Sequence, residues 1–275
     1  MSSARARVDL RGELAQALGR GELFLLFQPQ VDLHRGRVVG AEALCRWQHP
    51  RHGLLQPEDF LGVLDSDPEA GLALADWAIG QAVQCAADWQ AQGHGLRLAV
   101  NVGAAQLLDA RWPARFDAHL QALAKVPSAM MELELLESSV IDDFALMAQR
   151  IEACVRAGVG VALDDFGAGH STLAWLRRLP VSSLKLDRTF IAGLPHSAAD
   201  TAIVRHLVAL ANELGLGVVA EGVESQVQGE CLLALGCELG QGFAIAPPLP
   251  PADFLPWLRR YEEAPLWERR RPSTA

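Results

Sequence analysis

Residues 23–45 read LFLLFQPQVDLHRGRVVGAEALC. Two apolar, strand-like runs, 23–31 and 38–45, are separated only by residues 32–37. A parallel crossover needs about a dozen residues or more, so the second strand must run antiparallel to the first. Working outward, further short apolar runs follow at 96–102, 130–136, 159–165, 183–187, 217–222 and 239–243. Longer segments of helical period lie between them. Leu72, Ala75, Ile79, Val83 and Ala86 keep the 3–4 spacing, as do Phe144, Met147, Ile151, Cys154 and Val155. Ile203, Leu207, Leu210, Ala211 and Leu214 repeat it, with Ser197 and Asp200 as the cap and Gly215 as the stop. Shorter helices are predicted over 171–179, 226–235 and 252–260. Alternating strands and helices imply a mainly parallel sheet. Eight such units in 275 residues predict an α/β fold, a (β/α)8 TIM-like barrel with its first strand antiparallel. The domain reading is a helical lead over 1–21, a barrel over 22–260, and a solvated tail, rich in Arg and Pro, over 261–275.

Composition narrows the function. With 24 Lys and Arg against 33 Asp and Glu, the formal charge is −9. That argues against a nucleic-acid polymer as partner, because phosphate neutralisation supplies most of such affinity. A small anion bound through metal ions stays open. The five cysteines form no C-x-x-C pair and suit a reducing compartment. Residues 1–11 have no apolar core and carry Arg5, Arg7 and Arg11, so no signal peptide is expected. No window approaches the ~20 apolar residues of a membrane span. The expected location is the cytoplasm.

Buried strands are apolar to their ends, so polar residues there are informative. The second strand carries Glu42 and then Arg46, the third closes on Asn101, and the fourth on Glu134 and Glu137. The fifth ends at Asp164-Asp165, the sixth carries Lys185 and Asp187, the seventh ends at Glu221 and Glu224, and the eighth holds Gln241. Each alone has a plain structural use, as a cap, a turn or a solvated lysine. Together, in strand order, they ring the C-terminal mouth where barrel enzymes place their chemistry. Glu42, Glu134, Asp164, Asp165 and Glu221 would bring five negative charges to one place. Lys185 and two divalent ions would balance them. Hard oxygen ligands suit Mg²⁺ or Mn²⁺, and paired ions are suited to phosphodiester hydrolysis.

The ordered stretches resemble the EAL-domain family of cyclic di-GMP phosphodiesterases. They are Phe27-Gln28-Pro29, Glu42-Ala43-Leu44-Cys45-Arg46-Trp47, Val100-Asn101-Val102, Leu133 to Ser138, Asp164 to Gly169, Leu184 to Arg188, Val219 to Glu224, and Gln241-Gly242-Phe243. The resemblance implies hydrolysis of cyclic di-GMP to linear pGpG with two Mg²⁺ or Mn²⁺ ions. It makes Glu42, Asn101, Glu134 and Asp164 look like ligands of the first metal, and Asp165, with Asp164 and Glu221, like those of the second. Lys185 and Glu221 look like the catalytic residues that position or deprotonate water. Gln28, Leu44, Arg46, Asp187, Glu224 and Gln241 resemble substrate-pocket positions, and Glu137 the brace of the loop after Asp165. Leu136, Gly103 and His170 depart from the family's usual Thr, Ser and Tyr, which bears on the loop's set point. The alternative expectation is a catalytically silent cyclic di-GMP receptor or interaction module signalling through a partner protein. A homodimer and a regulatory partner are left open.

Overall fold

The computed structural model describes residues 10, 12–63, 67–122, 127–136, 143–167 and 173–267. Strands β1 (Leu23–Asp32) and β2 (Arg37–His49) form the expected antiparallel hairpin, with Gln28 opposite Glu42 and Gln30 opposite Gly40. Its turn is written into the linking residues. The Asp32 carboxylate accepts the backbone N–H groups of His34 and Arg35 at 2.9 and 2.8 Å. Gly36 then takes the left-handed φ of 64° that returns the chain. The short β3 (Gly53–Leu55) adds to the outer end of β2.

β4 (Arg97–Asn101), β5 (Met131–Leu136), β6 (Gly160–Phe166), β7 (Ser183–Leu186), β8 (Gly217–Ala220) and β9 (Leu239–Gly240) follow as parallel neighbours from β2 round to β9. β1 closes the ring by pairing antiparallel with both β2 and β9. Leaving β3 aside, this is an eight-stranded barrel with an inverted first strand, as the sequence predicts. The last strand is shorter than the run 239–243. Gly242 lies against the Val223 backbone, where a Cβ would fall 2.2 Å from the amide nitrogen, so the chain turns across the mouth there.

Helices coat the barrel: α1 (Glu13–Arg20), α2 (Pro57–Phe60), α3 (Pro68–Ala91), α4 (Ala104–Leu108), α5 (Trp112–Ala122), α6 (Phe144–Arg156), α7 (Leu173–Arg178), α8 (Arg188–Ala192), α9 (Ala198–Glu213), α10 (Gln226–Ala234) and α11 (Pro251–Glu263). The Ser197 hydroxyl caps α9 by accepting the Asp200 N–H, and Gly215 follows its end with φ 72°. The outer layer is knitted by aromatics. Phe27 of β1 meets Trp89 of α3 edge-on at 5.1 Å, and Trp89 stacks on Phe254 of α11 at 4.4 Å. α4, α5 and α8 carry too few inward apolar residues to declare a period; α5 buries only Trp112 and Phe116.

The lead helix is held by a second, smaller core. Leu10, Leu14 and Ala17 pack with Leu23, Trp47, Leu55, Phe60, Ala70 and Leu74. Glu13 also reaches His49 and Arg51, at 3.1 and 2.6 Å. The tail reading is corrected in part. Tyr261 and Trp267 are buried, and the Trp267 indole donates to the Gln226 carbonyl at 3.0 Å. Trp267 lies against Gly229 of α10, and its backbone against Gly36, both positions where a Cβ would collide. At the end of the barrel opposite the mouth, buried Glu132 pairs with Arg97 at 3.0 Å and accepts the Ser183 hydroxyl.

Candidate active site

Period-2 alternation turns Gln28 and Glu42 into the barrel from adjacent strands. Asn101 and Glu134, paired in register at the ends of β4 and β5, do the same. Asp164 and Asp165 end β6, Lys185 lies in β7, Glu221 follows β8 directly and Gln241 follows β9. Of the polar residues at the strand ends, the structure brings together Glu42, Asn101, Glu134, Asp164, Asp165, Lys185, Glu221 and Gln241.

Lys185 is the centre of the group and is 1% exposed. Its Nζ lies 3.2 Å from Glu42 Oε2, 2.9 Å from Glu134 Oε2, 2.9 Å from Asp164 Oδ1 and 2.6 Å from Glu221 Oε1. The Asn101 amide donates to Glu42 Oε1 at 2.8 Å and reaches Glu134 Oε2 at 3.5 Å. Gln241 Nε2 donates to Glu42 Oε2 at 2.6 Å and to Gln28 Oε1 at 3.0 Å, and Gln28 donates onward to the Ala246 carbonyl at 3.2 Å. Asp165 takes a left-handed φ of 53°, rare for a residue with a side chain, and its N–H bonds the Asp164 carboxylate at 3.0 Å.

One lysine among five acids leaves an unbalanced charge, and the carboxyls record it. Burial, reinforced by Glu42, holds Glu134 well above the usual carboxylate range despite Lys185. Burial pushes Glu221 up to about 8, with Lys185 opposing. Asp165 is pushed up to about 6 by burial, then by Asp164 and Asp187. Burial also penalises the Glu42 carboxylate, but Lys185, Gln241 and Asn101 more than offset it and hold it low. Burial alone would lower Lys185; its carboxylate neighbours raise it well above normal, so it stays charged.

Two sets of carboxylates could each hold a cation. Ligand atoms of Glu42, Glu134 and Asp164 lie within 4.8 Å of one another, and so do those of Asp164, Asp165 and Glu221. Asp164 belongs to both. Oxygen donors with excess negative charge and a shared carboxylate fit a pair of hard divalent ions.

The expected substrate positions are more scattered in character. Gln28, Arg46 and Gln241 are buried, Leu44 is half-buried and Glu224 is exposed. The Asp187 carboxylate caps α8, accepting the Thr189 N–H at 2.8 Å, and also faces Asp165. Glu137 and His170 lie outside the described residues; Gly103 and Leu136 lie within them. One buried residue in the amide layer escaped the sequence reading. Gln30 donates to Gln241 Oε1 at 3.1 Å. Its partner lies 211 positions away on another strand, so nothing local in the sequence marks it.

Known proteins resemble this chain in sequence and in fold. Cyclic di-GMP phosphodiesterase PA2567 of Pseudomonas aeruginosa is 38% identical over 251 residues, 90% of this chain and 42% of that protein. Cyclic di-GMP phosphodiesterase PdeR of Escherichia coli is 37% identical over 252 residues, 90% of this chain and 37% of that protein. The chain thus spans about two fifths of the length of these curated relatives. Among solved structures, the PaMucR phosphodiesterase–c-di-GMP complex superposes with a TM-score of 0.80 at 37% identity, covering 88% of this chain and 98% of that one. The EAL domain of Mycobacterium smegmatis DcpA does so at 0.74 and 31% identity, covering 87% and 97%. Residues 11–248, most of the chain, match the EAL domain family, and the chain belongs to that family.

Proposed function

We propose that the chain hydrolyses cyclic di-GMP to linear pGpG with two Mg²⁺ or Mn²⁺ ions. The observation that carries this is the pair of carboxylate sets sharing Asp164, with every acid and the lysine in place. Glu42, Asn101, Glu134 and Asp164 would hold one ion, and Asp164, Asp165 and Glu221 the other. Ions held there supply an activated water at neutral pH and neutralise the phosphate oxygens.

The remaining work falls to the side chains. Water adds to phosphorus, the bond to one ribose 3′-oxygen breaks, and that oxygen leaves with a proton. Lys185, permanently charged and held on four sides, does not reorganise as charge builds on the phosphate. Glu221, which faces Lys185 and is ionised when the ions are bound, would accept the water's proton and return it to the departing oxygen. Gln28, Leu44, Arg46, Asp187, Glu224 and Gln241 would line the nucleotide pocket, with Glu137 bracing the loop after Asp165. Cytoplasmic placement belongs to the same reading, and the thiols suit it: burial pushes Cys45 and Cys237 up to about 12, which makes them inert.

The test is chromatographic turnover of cyclic di-GMP with Mn²⁺ or Mg²⁺, with EDTA and Glu42→Ala as controls. The expected result is pGpG that appears only with metal and only with Glu42. Nucleotide binding without product, in a folded sample, would replace the enzyme by a receptor.

A further inference from the structure

Below the acid cluster the barrel holds a row of buried amides whose last member has no part in the reaction as described. Gln241 spends both N–H groups, one on Glu42 Oε2 and one on Gln28 Oε1. Its carbonyl oxygen then needs a donor, and Gln30 Nε2 supplies one at 3.1 Å. Gln30 is 2% exposed, and its own Oε1 is buried without a hydrogen-bond partner among the described residues. An unpaired buried carbonyl is costly, so what holds Gln30 in place is the work of its amide nitrogen.

The fold puts it there by register. Gln30 shares the inward face of β1 with Gln28 and stands opposite Gly40, where a Cβ would fall 2.4 Å from the Arg97 carbonyl oxygen. The neighbouring pair Val31–Gly240 brings it beside Gln241.

We infer that Gln30 is a positioning residue for Glu42. By donating to the Gln241 carbonyl, it fixes which end of that amide faces the carboxylate. Turned over, Gln241 would set its oxygen against Glu42 Oε2, two acceptors in contact, and Glu42 would be driven away from Glu134 and Asp164. This rests on the metal reading above, and it is tested by metal binding as well as by turnover.

The experiment is calorimetric titration of the full chain with Mn²⁺, alongside steady-state kinetics on cyclic di-GMP. Gln30→Met, which matches the length but lacks a donor, should weaken Mn²⁺ binding and lower kcat by about tenfold, with KM little changed. Gln30→Lys keeps an N–H donor and should recover most of both. In a Gln241→Met background, Gln30→Met should have no further effect, because the residue acts only through that amide. Circular dichroism melting confirms that each variant folds, with Gln30→Leu standing in if the Met variant does not. Wild-type metal affinity in a folded donorless variant would overturn the inference. So would equal losses in the Met and Lys variants, or additive losses with Gln241→Met. A wild-type chain that takes up no Mn²⁺ would instead overturn the metal reading, and this inference with it.

Discussion

At the scale of single residues, the centre of the site is a contest between one cation and five acids. Without divalent ions the protein answers with protons. Glu221 is pushed up from 4.5 to about 8 and Asp165 from 3.8 to about 6, in both cases chiefly by burial. Between those limits the folded chain keeps protons that the unfolded chain releases, so stability falls as pH rises through that window. The metal-free protein, in EDTA, should melt at a higher temperature at pH 6 than at pH 8. Saturating Mn²⁺ should flatten or reverse that slope, because ions favour the ionised carboxylates that protons otherwise occupy. Differential scanning calorimetry at both pH values, with and without metal, reads the effect directly. An identical slope with and without Mn²⁺ would mean that these carboxyls do not meet the ions.

At the scale of elements, small residues admit large neighbours. Gly229 on α10 and Gly36 in the β1–β2 turn leave the space that Trp267 and its backbone fill. Trp267→Ala should cost roughly 3 kcal/mol, the usual price of deleting a buried aromatic, while kcat stays near wild type because the mouth is untouched. Chemical denaturation paired with the turnover assay separates the two. Trp267 also marks where the sequence stopped being legible. Its burial depends on a slot made by glycines some 40 and 230 positions away, and local composition shows only a polar, Arg-rich tail. The eight strand runs were legible because each is apolar and bounded, and the inverted first strand because residues 32–37 are too few to cross over. The clustered acids were legible because a carboxylate ending an apolar strand has no reason to be buried. Gln30 was not, since a neutral amide mid-strand announces nothing until its partner on another strand is known.

At the scale of the whole molecule, the net charge of −9 and the acidic mouth act in the same direction. Five carboxyls gather around one lysine there, and even with Glu221 pushed up to about 8 the acids outweigh Lys185. The proposed cyclic dinucleotide, with two phosphodiester groups, would bring two more negative charges to that opening. In the absence of metal the long-range interaction is therefore repulsive, and added salt should weaken the repulsion. The screening length falls from about 30 Å at 0.01 M salt to about 10 Å at 0.1 M, shorter than the reach of the surface field. With two divalent ions in the cluster the sign at the mouth is balanced or reversed, and salt should then loosen binding or leave it unchanged. A hydrolysis-resistant phosphorothioate analogue of cyclic di-GMP allows both states to be titrated over the same salt series. The expected outcome is affinity that improves with salt in EDTA and does not improve with salt in Mn²⁺. Affinity that falls with salt in EDTA would show that the ligand meets a positive surface first, and that the acids at the strand ends do not govern its approach.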